Sequence, residues 1–439
     1  MSVNSLSSSI TLRPYQVEGF KAIFAKWLQY ARLLLVWPTG AGKTILFAYI
    51  ALRRMAEGPV LIVAHRDELI TQAVQKVALA VGIQADVEKA ESYASASASV
   101  VVASIQTLTR RYDRFAPDHW STLIIDETHH IPSESYQRVV TYYDKAKVLG
   151  VTATPDRGDA RALGQYFEEI AHEVSLVELI QAGYLAPITV RTVPLEIDIS
   201  GVSTRAGDFS DEELGEVLDP LLGEIAQAIL QYAIDRKSLI FVPLIRTAER
   251  FADILRALGL RAEMISGVCP DRAEKLARFR TDQTQILVNS MLLTEGFDES
   301  SIDCIIPLRP TRIRSLFCQQ VGRGTRIHPG KKDLLLLDFL WHSRRHNLAK
   351  PASIIAHDEA EEERISQRHS GGAMATCSRP NRLQRANASR PWPPSWKRTG
   401  NGEARPSICW SWPSDSRHPL LSITGLVCTG TPSVLLRHR

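Results

Sequence analysis

Apolar positions along this chain repeat with two different periods, and the switches between them mark out its elements. Over LRPYQVEGFKAIFAKWLQ the apolar residues Val17, Phe20, Ile23, Phe24, Trp27 and Leu28 recur every three or four positions. That spacing predicts an amphipathic helix beginning near Pro14, a residue tolerated in a first helical turn. Leu33 to Trp37 is an unbroken apolar run, the pattern of a buried strand, and ILFAYIALRRMAE soon after returns to helical spacing. PVLIVA, Val100 to Ala103, TLIID and AKVLGVT are further short apolar runs, with the helical segment HRDELITQAVQKVALAVG after the first of them. From about position 221 the alternation resumes: SLIFV, RAEMIS, QILVNS, SIDCIIPL and DLLLLDF read as strands with helices between them. Strands alternating with helices of this length imply parallel sheets covered on both faces, joined by right-handed crossovers.

Two such series predict an α/β protein of two domains, spanning 1–190 and 221–347. Residues 188–199 alternate like a strand, and the polar stretch GVSTRAGDFSDEELGE follows, so the interdomain connection is placed at 191–220. The remainder, 348–439, is acidic and then basic, rich in Pro, Trp and Arg, and without helical or strand period. It is expected to be disordered or the product of a shifted reading frame, in preference to a Trp- and Arg-bearing nucleic-acid arm.

Charge changes the picture once the chain is divided. The whole has a net charge of +4, but from His369 onward nine Arg and one Lys face only Glu403 and Asp415. The preceding part is therefore acidic, and any polyanion must bind a local patch there. The six cysteines form no C-x-x-C pair, no apolar run is long enough to span a bilayer, and the N-terminus lacks a signal-peptide pattern. These features predict a cytoplasmic protein without a zinc site, a disulfide framework or membrane attachment.

The candidate chemistry lies where strands end. After Leu33–Trp37 comes PTGAGKT, a strand–glycine turn–Lys-Thr–helix arrangement that cradles phosphate oxygens in backbone N–H groups. Lys43 can reach the β- and γ-phosphates and the Thr44 hydroxyl can hold Mg²⁺. The generic pattern has Gly where this chain has Trp37. TLIID ends in Asp126-Glu127-Thr128-His129-His130, a pair of carboxylates at the end of an apolar strand. Asp126 suits a metal and Glu127 suits a base for the attacking water, although Asp and Glu also favour strand ends for local reasons. Arg323 and Arg326 lie three apart in QQVGRGTR, where they can stabilise a transferring phosphoryl group or merely cap a helix C-terminus.

Read in order, LRPYQ, PTGAGKT, VAHRDEL, SIQTL, DETHH, TATP, LIFV, LTEGFD and QQVGRGTR resemble the motifs of superfamily 2 DExH-box helicases across residues 13–345. DETHH, LIQAGYLAP, ISGVCPDRAEKLARF and LTEGFD look most like the branch holding RadD-like, XPB-like and restriction-type helicases. The resemblance implies two tandem RecA-like domains with ATP and Mg²⁺ between them. It implies nucleotide contacts from Arg13, Gln16, Thr39, Gly40, Gly42, Lys43, Thr44, Gly296 and Asp298, with Asp126 beside Thr44 at the metal. It makes Lys43, Glu127, Arg323 and Arg326 catalytic. Thr152, Thr154, His129 and Gln319 would couple the domains, and Arg66, Gln106, Thr107 and Thr294 would grip nucleic acid. The expected function is an ATP-driven helicase or translocase on single-stranded DNA or DNA junctions, in repair or recombination. An RNA helicase, the motor of a restriction system and an inactive nucleic-acid-binding remnant are the alternatives.

Overall fold

The computed structural model describes residues 10–128, 131, 133–153, 163–193, 195, 198–205, 207–290, 297–339, 354 and 420–423. The expectations for His129, Thr154, Thr294 and Gly296, and nearly all of those for the tail, lie outside these residues.

The first sheet contains β1 (Arg32–Val36), β2 (Val60–Ala64), β3 (Asp86–Glu88), β4 (Val100–Ser104), β5 (Thr122–Ile125), β6 (Lys147–Thr152) and β7 (Glu169–Glu173). Their order is β3-β4-β2-β5-β6-β1-β7, and every pairing is parallel. Its inner strands are mostly apolar because helices cover both faces. One face packs Leu33, Leu35 and Ile62 against Phe47 and Ile50, from the helix over Lys43–Arg54. The other packs Leu34, Leu61 and Leu123 against Trp120 and Tyr143.

The second sheet is built from β8 (Ile188–Thr192), β11 (Ser238–Val242), β12 (Ala262–Ile265), β13 (Ile286–Ser290), β14 (Cys304–Pro307) and β15 (Leu334–Asp338). These run parallel in the order β12-β13-β11-β14-β15-β8, and β16 (Leu420–Ile423) adds antiparallel to β8. The architecture is thus two parallel-sheet α/β domains, as the alternation of periods requires.

The passage between the domains differs from the expectation. β8 pairs with β15 in the second sheet, although the first domain was expected to reach 190. The stretch expected as a connection contributes Val193, Ile199, Phe209 and Leu214 to the second core. It also holds a small hairpin, β9 (Thr204–Arg205) and β10 (Asp208–Phe209). Asp208 accepts from buried Arg309 at 2.9 Å and from Thr311 at 2.9 Å. That anchors the hairpin to the loop leading into the helix over Arg314–Gly322. The alternation in 188–199 signals a strand but says nothing about which sheet it joins.

Close approach at Gly150, inside β6, leaves no room for a side chain. A Cβ there would lie 2.2 Å from Phe167 Cζ and 2.7 Å from Thr128 Cγ2. Both neighbours are buried, so Gly150→Ala should lower stability by about 1–3 kcal/mol through overpacking. Urea unfolding checks this: the midpoint should fall while the slope stays constant.

Candidate active site between the two sheets

The strands of the first sheet deliver the candidate residues at their C-terminal ends, where open α/β sheets place ligands. β1 leads into the phosphate loop. Gly40 and Gly42 adopt φ values of +87° and +74°, which a side chain would oppose. Space is short as well, since a Cβ on Gly42 would lie 2.6 Å from Gln16 Nε2. Gln16 donates to Ala41 O at 3.0 Å and accepts from Arg13 N at 2.9 Å, and the Tyr15 hydroxyl donates to Ala41 O at 2.6 Å. The first helix therefore braces the loop from outside.

Trp37 explains its own departure from the generic phosphate-loop pattern. It is fully buried, donates through Nε1 to His172 Nδ1 at 3.1 Å and packs edge-on against Tyr15. The bulk is accommodated by Gly19, where a Cβ would come within 2.5 Å of the indole. The indole thus fills the space between the first helix and β7.

Lys43 opens the helix over Lys43–Arg54, with Thr44 half-buried beside it. Lys43 Nζ lies 3.7 Å from Glu127 Oε1 and has no hydrogen-bond partner among the described residues. Asp126 and Glu127 follow β5 and are both buried. Burial pushes the Asp126 carboxyl up to about 6, the neighbouring Glu127 pushes the same way, and Lys43 pulls it back. Asp126 Oδ1 accepts from Glu127 N at 3.0 Å. Glu127 has φ +49°, a left-handed conformation that non-glycine residues adopt at a cost. Thr39 and Thr152 are buried with hydroxyls that lack a hydrogen-bond partner among the described residues.

The second domain closes over this loop. A Cβ on Gly322 would lie 2.5 Å from Thr39 Cβ, so the helix end and the phosphate loop touch. A Cβ on Gly40 would be 3.7 Å from Arg326 Cγ, which sets that arginine against the loop. Arg326 Nε pairs with Asp298 Oδ1 at 3.1 Å, and Arg323 Nη1 donates to Phe297 O at 3.0 Å. Asp298 also faces Lys76 of the first domain at 3.6 Å. Gln319 is buried one turn before Arg323. Lys43, Asp126, Glu127, Thr39, Arg323 and Arg326 are thereby brought to one cleft. Gln16 lies against Gly42 of the phosphate loop, with Arg13 beside it.

Three further residues hold this arrangement, and motif reading missed them. Lys331 donates to the carbonyls of Ser300, Ile302, Gly324 and Arg326. Burial pushes its ammonium down to about 8, while nearby Asp303 pulls it up. Tyr184 carries the Arg13 guanidinium 5.3 Å above its ring. Lys76 reaches Asp298 across the cleft. No periodicity marks Lys331; only its tertiary position gives it four carbonyls. Lys331→Met should leave those carbonyls unsatisfied and cost about 1–3 kcal/mol, measurable by chemical denaturation. Turnover should fall further than stability because Arg326 loses its support.

Of the residues expected to touch nucleic acid, Arg66 and Gln106 come together. Gln106 follows β4 and donates to His65 O at 2.9 Å, tying its loop to the one after β2. Thr107 faces a different neighbour, accepting from Ala90 N at 3.0 Å.

Two parallel-sheet domains that set a phosphate loop and acidic pair against an arginine-bearing helix define the core of a superfamily 2 helicase. The chain carries both halves of that core: residues 9–157 match the type III restriction enzyme res subunit family, and residues 221–328 match the helicase conserved C-terminal domain, consistent with the restriction-type branch. It is 32% identical over 359 residues to irc3 of Schizosaccharomyces pombe, named as a mitochondrial ATP-dependent helicase, covering 77% of this chain and 59% of that relative. This chain thus spans little more than half of that protein. In fold it resembles a fragment of an HsdR subunit of a type I restriction enzyme from Vibrio vulnificus YJ016, with a TM-score of 0.62 and 24% identity, covering 77% of this chain and 66% of that one. The type ISP restriction-modification enzyme LlaBIII, solved bound to DNA, matches with a TM-score of 0.58 and 15% identity over 82% of this chain and 29% of its own. No helix among the described residues is long and apolar enough to cross a membrane.

Proposed function

We propose that this chain is an ATP-dependent helicase or translocase acting on DNA, with hydrolysis in the interdomain cleft driving movement along a single strand. Repair or recombination is the setting in which we place it. The observation that carries the reading is the contact of Gly322 with Thr39. It sets Arg326 on the phosphate loop opposite Lys43, Asp126 and Glu127.

In this reading the loop N–H groups and Lys43 hold the β- and γ-phosphates of ATP. The Thr39 hydroxyl and Lys43 ammonium, which have no hydrogen-bond partner among the described residues, are donors suited to those oxygens. Thr44 and the buried Asp126 carboxylate suit Mg²⁺, an oxygen-seeking cation that would offset phosphate charge when bound. Glu127 accepts the proton of the attacking water. Arg326, with Arg323 behind it, stabilises charge on the transferring group. Gly322 can pack this closely only when the domains close, so hydrolysis is tied to closure. Arg66, Gln106 and Thr107 contact the strand through its phosphates, which makes binding salt-dependent and weakly sequence-specific. The match to the restriction-type domain supports DNA over RNA.

The test is ATP hydrolysis by the whole chain alone, with single-stranded DNA or with single-stranded RNA. Stimulation by DNA that disappears in Lys43→Ala is the expected result. Stimulation by RNA alone would overturn the substrate assignment, and no hydrolysis under any condition would overturn the motor.

A further inference from the structure

Arg13 is the most exposed of the described residues in the candidate nucleotide site, yet one residue holds it from two directions. Its guanidinium carbon sits 5.3 Å above the centroid of the Tyr184 ring. Its Nη1 also donates to the carbonyl oxygen of Tyr184 at 3.3 Å. Tyr184 is fixed in turn. Its ring packs on Tyr15 with centroids 5.0 Å apart, and its N–H donates to Leu179 O at 2.8 Å. The preceding Gly183, at φ +72°, lets the chain turn there. Beyond Tyr184, Leu185 lies against Gly40 of the phosphate loop, and Ala186 N donates to Thr325 O at 2.7 Å, beside Arg326.

The phosphate loop fixes where a nucleotide's phosphates lie. Gln16, bonded to Ala41 O and to Arg13 N, sets Arg13 beside the phosphate loop. A planar guanidinium there is a natural surface for an aromatic base, because it stacks on π faces and is weakly hydrated. A free arginine loses side-chain entropy when fixed in one pose. An arginine already held by a ring and a carbonyl has lost most of that freedom before the base arrives.

We propose that Tyr184 is a positioning residue for the nucleobase, presenting the guanidinium plane of Arg13 as the stacking surface for the purine of the bound nucleotide. This rests on the ATP reading above and adds to it the group that makes base recognition effective. Tyr184 touches neither the phosphates nor the reacting atoms. Its effect falls on the base alone, and its ring, not its hydroxyl, does the work.

The experiment compares binding of Mg²⁺-ADP, Mg²⁺-ATP and Mg²⁺-tripolyphosphate, which has no base, to the wild-type chain, Tyr184→Ala and Tyr184→Phe. Tyr184→Ala should bind both nucleotides about tenfold more weakly while its affinity for tripolyphosphate stays within twofold. Tyr184→Phe should restore wild-type nucleotide affinity. Equal loss for nucleotides and tripolyphosphate would show a general structural role and overturn the proposal. So would unchanged nucleotide affinity in Tyr184→Ala, or a failure of Tyr184→Phe to restore it. If the wild-type chain binds none of the three ligands, the ATP reading itself fails, and Tyr184 has no base to position.

Discussion

Lys43→Ala should abolish nucleic-acid-stimulated ATP hydrolysis, lowering kcat by on the order of 10³-fold, or about 4 kcal/mol of barrier. The size follows from where the ammonium lies. It is nearly buried, 3.7 Å from Glu127, with no hydrogen-bond partner among the described residues. An amine so placed interacts with phosphate oxygens in a poorly screened environment, where its charge acts far more strongly than in water. Alanine also leaves the adjoining Asp126 and Glu127 without the cation that opposes their mutual repulsion. The Asp126 carboxyl, already raised to about 6, should then rise further. Nucleotide binding should weaken as well, because Lys43 contacts the ground-state phosphates. Steady-state turnover and a thermal melt together decide the matter. Turnover within tenfold of wild type in a folded variant would remove Lys43 from the proposed mechanism.

Arg326→Ala should give a loss of the same order, about 10³-fold in kcat, with nucleotide affinity changed only a few-fold. Arg326 reaches the phosphate loop from the second domain, alongside the Gly322–Thr39 contact. Its interaction with the transferring group should therefore strengthen only as the cleft closes and charge develops. Arg326→Lys should rescue little, since one ammonium cannot both hold Asp298 as the fork does and face the phosphoryl group. Loss of Asp298's partner adds a small destabilisation, because that carboxylate is partly exposed and still faces Lys76. The decisive measurement is kcat against KM. A rise in KM with constant kcat would make Arg326 a simple binding residue and contradict its place in the proposed transition state.

Much of this architecture could be read directly from the sequence. The strand-like runs Leu33–Trp37, PVLIVA, Val100–Ala103 and TLIID all appear as parallel strands, because burial on both faces demands continuous apolar text. The glycine turn of PTGAGKT was visible because left-handed residues on either side of Ala41 need glycine. The chemistry-bearing residues stood out because phosphate, metal and proton transfer each call for few residue types at strand ends.

What the sequence left open was everything set by long-range placement. ITVRT announced a strand, but only the pairing of β8 with β15 assigned it to the second sheet. Trp37 departs from the generic phosphate-loop pattern, and Gly19, eighteen residues earlier, makes room for it. No local pattern assigns a role to Lys331 or Tyr184; one gathers carbonyls from two separate segments, and the other lies beneath an arginine 171 residues away. Local periodicity therefore determined which segments are strands and helices, and local motifs which strand ends are candidates for chemistry. The tertiary structure alone decided which ends face one another, because that depends on packing between residues distant in the chain, which no local pattern encodes.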